Sequence, residues 1–286
     1  MRRGCRALAS TLLLSACVAP QPVAAPASAP VAALASAPVA ASTSTAKDPV
    51  PAGSADPHCG WPNGARAAVS LTYDDGLLSQ RKYALPVLDK AGIKATFFLS
   101  GGNLADFAPL AKSGHELASH TLKHPCNPGL AALSLTEMAG ELDAGNAAVQ
   151  ALGVSGKLTF AYPCGQTNVK NAQSYVPLVK ARFRAARGVT GVVADPKDVA
   201  LFNVPALFPP STSDGSDVLA FIQAAEQSHG WAVLGIHGVS QAGEYLQLSQ
   251  PAHDKIVAYL AEHAQTIWTA PFGAVADVVA KCRRLR

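Results

Sequence analysis

The chain has 286 residues, of which 49% are hydrophobic and 15% are charged. This length and apolar content indicate a globular protein with a sizeable buried core. The formal net charge is +4, from 23 basic and 19 acidic residues. Arg2, Arg3 and Arg6 lie in a segment that we expect to be removed, which leaves 20 of the 23 basic residues. This near balance of charge argues against a nucleic-acid partner.

The chain begins with the pattern of an export signal. In "MRRGCRALASTLLLSAC", an arginine-bearing start precedes an apolar stretch that is too short to span a bilayer, and small residues follow. The end of this stretch, "LSAC", resembles the lipobox of bacterial lipoproteins. We therefore predict a lipoprotein signal peptide over 1–17 and a lipid on Cys17; an ordinary signal peptide cleaved nearby is the alternative. Because no aspartate follows Cys17, we expect an exported protein on the periplasmic face of the outer membrane.

Residues 18–57 are rich in Ala, Pro and Ser and contain almost no large apolar side chains. Such a segment cannot bury a core, and we predict a disordered tether. The folded domain is then expected over 58–286, a length that suits a single α/β domain.

Short apolar segments alternate with helical patterns throughout this domain. The segments that predict strands are "AAVSLTY", "KATFFLS", "HELASH", "LTFAYP", "FRAARGV", "LFNVPAL", "WAVLGIHG" and "TIWTAP". The clearest helices are "SLTEMAGELDAGNAAVQALG", where Ser134 and Glu137 form a capping box, "DVLAFIQAAEQS" and "AHDKIVAYLAEHAQ". This alternation predicts an α/β fold with a mostly parallel sheet, open or closed into a barrel.

Four cysteines remain in the expected mature domain, and an even number in an exported protein suggests disulfides. Three pairings are possible. We predict Cys59–Cys282, which would join the two ends of the folded region, and Cys126–Cys164 for the remaining pair.

The first polar cluster is "LTYDDG", in which Asp74 and Asp75 end an apolar strand. Adjacent residues of a strand point to opposite sides, so both carboxylates can share a cavity only if the strand ends there and Gly76 permits a turn. A divalent ion bound by Asp75 would offset the repulsion between the two charges and leave Asp74 free beside a water. The alternative is an ordinary Asp-Asp-Gly surface turn.

Histidines form the second cluster. His120 and His124 in "SHTLKHP" are four residues apart, which on one turn would direct both imidazoles to one point where they could bind a metal; a solvated loop is the alternative. His237 ends the strand "LGIHG", where it is either structural or the residue that a proton-donating step requires. The turn in "FAYPCGQ" could present a backbone N–H to a developing oxyanion.

In this order, the clusters resemble the motifs of the polysaccharide deacetylases of carbohydrate esterase family four, which share the NodB homology domain. "TYDDG" is similar to the first motif of that family, "SHTLKH" to its histidine motif, "YPCG" to its third motif and "LGIHG" to its late histidine motif. The resemblance covers about residues 67–276 and implies a distorted (β/α) barrel of about seven parallel strands.

The resemblance also implies a role for each matching residue. Asp75, His120 and His124 would bind a divalent metal, with zinc expected and cobalt, manganese or nickel as alternatives. Asp74 would be the general base, His237 the general acid, and the N–H of Cys164 an oxyanion donor. Tyr162 and Pro163 would border the substrate. Trp231 and Trp268 are candidates for a wall of the acetyl pocket, with core packing as the alternative.

Three positions depart from the family pattern. Many members carry an arginine where this chain has Ala161, and Arg184 or Arg187 in "ARFRAARGV" could supply it, with a structural salt bridge as the alternative. Tyr73 replaces a phenylalanine that we expect it to match in packing. Cys164 replaces a tyrosine while keeping the backbone N–H.

The function implied is metal-dependent removal of acetyl groups from an N-acetylated polysaccharide such as peptidoglycan, chitin or poly-N-acetylglucosamine, by a monomer. One alternative is an O-acetyl esterase that acts on acetylated xylan or a similar glycan. A second is an inactive glycan-binding lipoprotein. A dinucleotide-binding enzyme is disfavoured because no G-x-G-x-x-G opens a helix.

Overall fold

The structure is a computed structural model that describes residues 60–102, 104–240 and 243–284. The predicted signal segment 1–17, the predicted tether 18–57 and Cys59 lie outside these residues. In the part of the chain that is described, no helix combines the length and apolarity needed to cross a membrane.

Seven strands form one sheet in the described residues. They are β1 (Ala67–Asp74), β2 (Thr96–Leu99), β3 (Glu116–Ser119), β4 (Phe160–Ala161), β5 (Ala186–Arg187), β6 (Trp231–Ile236) and β7 (Ile267–Thr269). The order is β5-β4-β3-β2-β1-β6, with β7 also paired to β1, and every pairing between strands is parallel. The predicted α/β barrel of parallel strands is confirmed.

Helices connect the strands. They are α1 (Leu85–Lys90), α2 (Gly129–Ala132), α3 (Leu135–Gln150), α4 (Val176–Arg182), α5 (Ser216–Ser228), α6 (Gln250–Glu262) and α7 (Phe272–Arg284). The three predicted helices are α3, α5 and α6. The capping box is present, because Ser134 Oγ accepts from Glu137 N at 3.2 Å and the Glu137 carboxylate accepts from Ser134 N at 2.7 Å. Helix α7 was not predicted.

The segment "LFNVPAL" does not form the predicted strand. It makes isolated parallel bridges instead, from Val204 to Arg187 of β5 and from Leu207 to Leu234 of β6. Pro205 lies between the two bridges and has no N–H to donate to a ladder. The segment therefore spans the gap between β5 and β6 without joining the sheet continuously.

The two faces of β1 pack into different cores. All eight residues of β1 are buried. Val69, Leu71 and Tyr73 belong to the larger core, together with the apolar residues of the surrounding helices. Ala68 belongs to a second core with Phe98, Ala118, Ala161 and Trp231 from the other strands, which is the barrel interior. Because side chains alternate along a strand, Asp74 lies on the interior face.

Tyr73 does more than fill the space of a phenylalanine. Its hydroxyl oxygen lies 2.8 Å from Nε2 of His253 on α6, and both side chains are buried. Burial lowers the pKa of His253 to about 4, so the imidazole is neutral. Tyr73 packs in the core, where it stacks on Phe97, and its hydroxyl is in addition the hydrogen-bond partner of a buried imidazole.

We predict that Tyr73→Phe lowers the free energy of unfolding by about 1–3 kcal/mol, the cost of leaving a buried polar atom without a partner. Tyr73→Phe/His253→Leu should be more stable than Tyr73→Phe alone, because both polar groups are then gone. Urea denaturation of the single and double variants measures the difference. A Tyr73→Phe variant as stable as the wild type would contradict a stabilising role for this contact.

Candidate active site and metal centre

A cleft of about 390 Å³ opens at the carboxyl ends of the strands. The residues that line it are Asp74, Asp75, His120, His124, Tyr162, Cys164, Val189, Phe208, His237, Tyr245 and Leu246. All six residues predicted for the catalytic and metal-binding roles are among them. This is the edge of a parallel α/β sheet where active sites form.

A sharp turn brings the two aspartates into one cavity. Asp74 is the last residue of β1, and Asp75 follows in the left-handed conformation, with φ of 73°. Gly76 is also left-handed, with φ of 68°, and a Cβ atom there would lie 3.2 Å from the Leu99 side chain. The turn that was predicted at Gly76 thus begins one residue earlier, at Asp75. Gln80 fixes the turn, because its Nε2 donates to the carbonyls of Asp74 at 2.5 Å and His237 at 2.9 Å.

Three donor atoms converge beside this turn. Nε2 of His124 lies 3.0 Å from Nε2 of His120 and 3.5 Å from Oδ1 of Asp75, and Nε2 of His120 lies 3.8 Å from the same oxygen. Ligands of a tetrahedral zinc ion at 2.0–2.1 Å lie about 3.3 Å apart. The spacing of Asp75, His120 and His124 therefore fits a possible metal-binding site.

His120 has the tautomer that metal binding requires. Its Nδ1 lies 2.8 Å from the carbonyl oxygen of Ala161, which can only accept, so Nδ1 carries the proton. Nε2 then carries no proton, and its lone pair is available at the point where the donor atoms of Asp75 and His124 also converge. Burial lowers the pKa of His120 to about 4, which keeps the ring neutral. A carbonyl behind a histidine ligand is the usual way in which proteins orient the ring.

The loop that carries the histidines is shaped by a glycine of α3. Thr121 and His124 are left-handed, with φ of 64° and 51°, and Thr121 Oγ1 accepts from His124 N at 3.0 Å. Gly145 lies against this loop, and a Cβ atom there would be 2.7 Å from the carbonyl carbon of Thr121. Only a residue without a side chain allows this approach.

Arg187 supplies the positive charge that is absent at Ala161. The two residues are paired in register on adjacent strands, β4 and β5. The guanidinium Nη2 donates to Oδ2 of Asp74, and both side chains are buried. Burial raises the pKa of Asp74, but Arg187, His120 and His237 outweigh burial, and the pKa lies below its ordinary value. Of the two arginines considered from the sequence, Arg187 holds Asp74 as a carboxylate.

The other candidate, Arg184, has the structural role. Its guanidinium pairs with Glu116 and Asp277 at the amino-terminal end of the barrel. Glu116 also accepts from Thr96 at 2.8 Å and from Thr159 at 2.9 Å. This network joins α7 to the strands and is remote from the cleft.

The two oxygens of Asp74 have different environments. Oδ2 is bound by Arg187, whereas Oδ1 is buried and has no hydrogen-bond partner among the described residues. His237 faces the aspartates from β6, with Nε2 3.9 Å from Oδ2 of Asp75. Its Nδ1 likewise has no partner within residues 60–102, 104–240 and 243–284. The Asp74 carboxylate lies beside the candidate metal site, because its Oδ2 is 3.8 Å from Nε2 of His120.

The third motif forms a tight turn on the opposite wall. Cys164 and Tyr162 line the cleft, and the Tyr162 hydroxyl donates to the carbonyl of Phe202 at 2.9 Å. Pro163 is buried in the turn and is not among the lining residues. The predicted disulfide Cys126–Cys164 is present, with Cα atoms 5.9 Å apart. Cys282 is also disulfide-bonded, but Cys59, its predicted partner, lies outside the described residues.

Trp231 and Trp268 do not line the cleft. They pair with the beginning of β1, at the opposite end of the barrel from the aspartates. Trp231 is fully buried and donates from Nε1 to Ser70 Oγ at 3.1 Å, and Trp268 packs against Trp61. Both tryptophans therefore have packing roles, which was the alternative, and the prediction that they form a wall of the acetyl pocket is wrong.

Phe208 and Tyr245 provide the aromatic surface of the cleft instead. The Phe208 ring lies 4.9 Å from the Arg187 guanidinium and 5.4 Å from the His237 ring. Tyr245 is 72% exposed and meets His237 edge to face at 5.2 Å. Sequence reasoning missed both residues because they follow no regular element. The one available signal was for Phe208, which directly follows the predicted strand segment "LFNVPAL".

Comparison with known proteins agrees with this architecture. Residues 62–178 match a family model described as polysaccharide deacetylase. A chitin deacetylase from Pestalotiopsis sp is 33% identical over 101 residues, which are 33% of this chain and 33% of the relative. A peptidoglycan-N-acetylglucosamine deacetylase from Bacillus cereus is 39% identical over 67 residues, which are 21% of this chain and 24% of the relative. The matched segments span about a third or less of these relatives.

Solved structures share the fold. A protein from Mycobacterium smegmatis described as a polysaccharide deacetylase has a TM-score of 0.57 at 18% identity, over 77% of this chain and 92% of that chain. The Bc1960 peptidoglycan N-acetylglucosamine deacetylase has a TM-score of 0.50 at 24% identity, over 73% and 87% of the two chains. The family model and the relatives show that part of this chain is similar to polysaccharide deacetylases. Arg187 and His237 lie beyond the matched residues 62–178.

We predict that Arg187→Met lowers the free energy of unfolding by about 3–5 kcal/mol, because it leaves the buried Asp74 without its counter-charge. Arg187→Met/Asp74→Leu should recover a large part of this loss. Arg182→Met is the matched control, since the Arg182–Asp143 pair is surface-exposed and should contribute less than about 1 kcal/mol. Denaturation with a chelator in every sample measures all three; equal losses for Arg187→Met and Arg182→Met would contradict the assignment.

Proposed function

We propose that this domain is a metal-dependent hydrolase that removes acetyl groups from an N-acetylated polysaccharide. The observation that carries the proposal is the buried carboxylate of Asp74 beside three convergent metal donors. Arg187 holds one of its oxygens, and the other has no hydrogen-bond partner among the described residues. A carboxylate kept ionised next to a cation site is suited to activating a water.

The proposed metal ligands are Asp75, His120 and His124. One carboxylate oxygen and two neutral imidazoles form a donor set that zinc accepts, and three protein ligands leave a position for water or substrate. When bound there, the ion supplies Lewis-acid chemistry, which polarises the acetyl carbonyl and increases the acidity of a water. Cobalt, manganese and nickel are the alternative metals, since imidazole and carboxylate donors also suit them.

The remaining groups move protons and orient the substrate. The carboxylate of Asp74 takes the proton of the attacking water, and Arg187 keeps that carboxylate ionised beforehand. The backbone N–H of Cys164 donates to the oxyanion that develops on the acetyl group. His237 gives a proton to the leaving nitrogen, and the exposed ring of Tyr245 offers a face for the sugar. The products are acetate and a free amino sugar.

The lining of the cleft favours a neutral glycan. Val189, Phe208, Tyr245 and Leu246 are its apolar residues, and the carboxylates of Asp74 and Asp75 are its acidic ones. Lysine and arginine are absent from the lining among the described residues, so an anionic sugar would meet neither of these side chains there. An uncharged N-acetyl sugar fits this surface better than a uronic acid.

An O-acetyl esterase is the second candidate. The same groups would cleave an ester, and an alkoxide needs less protonation than an amine when it leaves. Nδ1 of His237 has no hydrogen-bond partner in the described residues, so no hydrogen bond there orients the proposed acid, and this favours the ester as the second candidate substrate. An inactive glycan-binding lipoprotein is disfavoured, since Asp74, Asp75, His120, His124 and His237 all line one cleft.

We also propose an exported protein that is anchored to the outer membrane by a lipid on Cys17. The support for it is the "LSAC" motif and the Ala, Pro and Ser composition of residues 18–57. A monomer that acts on glycan in the cell envelope is consistent with this location. Metabolic labelling with a palmitate analogue, lost in Cys17→Ser, tests the anchor.

Release of acetate tests the enzyme proposal. Purified protein is incubated with chitooligosaccharides, peptidoglycan and acetylated xylan, and mass spectrometry measures the loss of acetyl groups. We expect deacetylation of an N-acetylated glycan, its loss with a chelator and its return with zinc. Activity that is unchanged by the chelator would contradict the metal centre. Metal-free protein that binds glycan but releases no acetate would support the binding module instead.

Replacing His237 distinguishes the amide from the ester. We predict that His237→Ala lowers kcat on an N-acetyl glycan by about 100-fold or more, because amine expulsion needs a proton donor. Cleavage of an activated acetyl ester by the same variant should fall much less. Equal losses on both substrates would remove the general-acid role of His237.

A further inference from the structure

One disulfide joins two segments that border the candidate active site. Cys126 lies two residues after His124, and Cys164 lies in the turn that forms the facing wall of the cleft. The bond joins residues 38 positions apart and brings their Cα atoms to 5.9 Å. Sγ of Cys126 is 3.6 Å from Nδ1 of His124. The loop of a proposed metal ligand is therefore covalently fixed to the turn that presents the Cys164 N–H.

The turn needs such support. Cys164 has φ of 52° and Gly165 has φ of 64°, so two successive residues are left-handed. For a residue with a side chain this conformation costs roughly 1–2 kcal/mol. A Cβ atom at Gly165 would meet the Val189 side chain at 2.2 Å, which prevents the turn from being stiffened by a larger residue. Within the turn, Gly165 N donates to the carbonyl of Tyr162 at 2.9 Å and Gln166 N donates to the carbonyl of Pro163 at 3.0 Å. Contacts from outside the turn add to these two hydrogen bonds.

Hydrogen bonds hold the base of the turn but not Cys164 itself. At the base, His120 Nδ1 donates to the carbonyl of Ala161 at 2.8 Å. Beyond the turn, Gln166 accepts from Asn127 N at 2.9 Å through its side chain. Cys164 is exposed between these two contacts. Its disulfide is the covalent connection to the histidine loop.

We propose that Cys126 and Cys164 are positioning residues that keep the oxyanion-binding N–H at a fixed distance from the metal ligand His124. This inference rests on the proposed function. Removal of the disulfide would let residue 164 leave the left-handed conformation and turn its N–H away from the acetyl group. The loss would then fall on the chemical step rather than on substrate binding, because an oxyanion donor acts most strongly in the transition state.

The test is Cys126→Ala/Cys164→Ala, measured with saturating zinc on the N-acetyl glycan that the wild type deacetylates. Alanine keeps the N–H of residue 164, and the double replacement leaves no free thiol beside His124. We expect kcat to fall by about 10–100-fold, less than the roughly 100–1,000-fold loss for a removed oxyanion donor because the N–H is displaced and not removed, while KM stays within about threefold. The zinc content of the variant should equal that of the wild type, and this measurement gives the fraction of chains whose metal site is intact.

Cys59→Ala/Cys282→Ala is the matched control, because Cys282 is disulfide-bonded at the far end of the chain. This variant should melt at a lower temperature and keep kcat within about twofold of the wild type. A kcat within twofold of the wild type for Cys126→Ala/Cys164→Ala would overturn the inference, as would an equal loss in both double variants. A wild type that releases no acetate from any glycan would instead overturn the proposed function.

Discussion

The candidate site depends on one buried ion pair, Arg187 with Asp74. A carboxylate taken out of water resists ionisation, and the pKa of Asp74 would rise if burial acted alone. The guanidinium from β5 reverses that tendency from within the barrel interior, where Phe98 and Phe208 flank it at 5.2 Å and 4.9 Å. Water is excluded there, so the attraction between the two charges is little screened. The result is an ionised oxygen beside three metal donors.

Strand geometry explains how so polar a pair lies in an apolar barrel. The residues of β1 alternate between the helix-facing core and the barrel interior, and Asp74 and Arg187 both point inward at the level where the strands end. The left-handed turn at Asp75 then adds a second carboxylate on the same side without unpairing the strand, because Asp75 N still donates to the carbonyl of Phe98 at 3.0 Å. The sequence "LTYDDG" is therefore a strand end that places two carboxylates with different proposed roles in one cavity.

Much of this arrangement could be predicted from the sequence. Short β-branched and aromatic segments predicted eight strands, seven of which form, and the spacing of His120 and His124 indicated a shared point. The resemblance to polysaccharide deacetylases added the expected role of each residue in the site. The prediction of a strand at "LFNVPAL" was wrong. Its apolar pattern suits a strand, but Pro205 has no N–H and interrupts the hydrogen bonds between strands.

The rest depended on contacts between residues distant in the chain. Arg184 and Arg187 are equivalent by local pattern, and only the register of β4 with β5 places Arg187 beside Ala161. The hydroxyl of Tyr73 gained a partner from α6, 180 residues later, which no local rule could indicate. Trp231 and Trp268 were considered for the cleft by residue type, but the strand direction places them at the other end of the barrel.

The most direct test separates the roles of the two adjacent aspartates. Asp74→Asn and Asp75→Asn are purified in parallel, and zinc content and acetate release are measured on each. The account predicts that Asp74→Asn keeps about one zinc ion per chain and loses its activity, whereas Asp75→Asn loses the zinc itself. An Asp75→Asn variant that binds zinc as tightly as the wild type would contradict the account. A loss of zinc from Asp74→Asn would do the same.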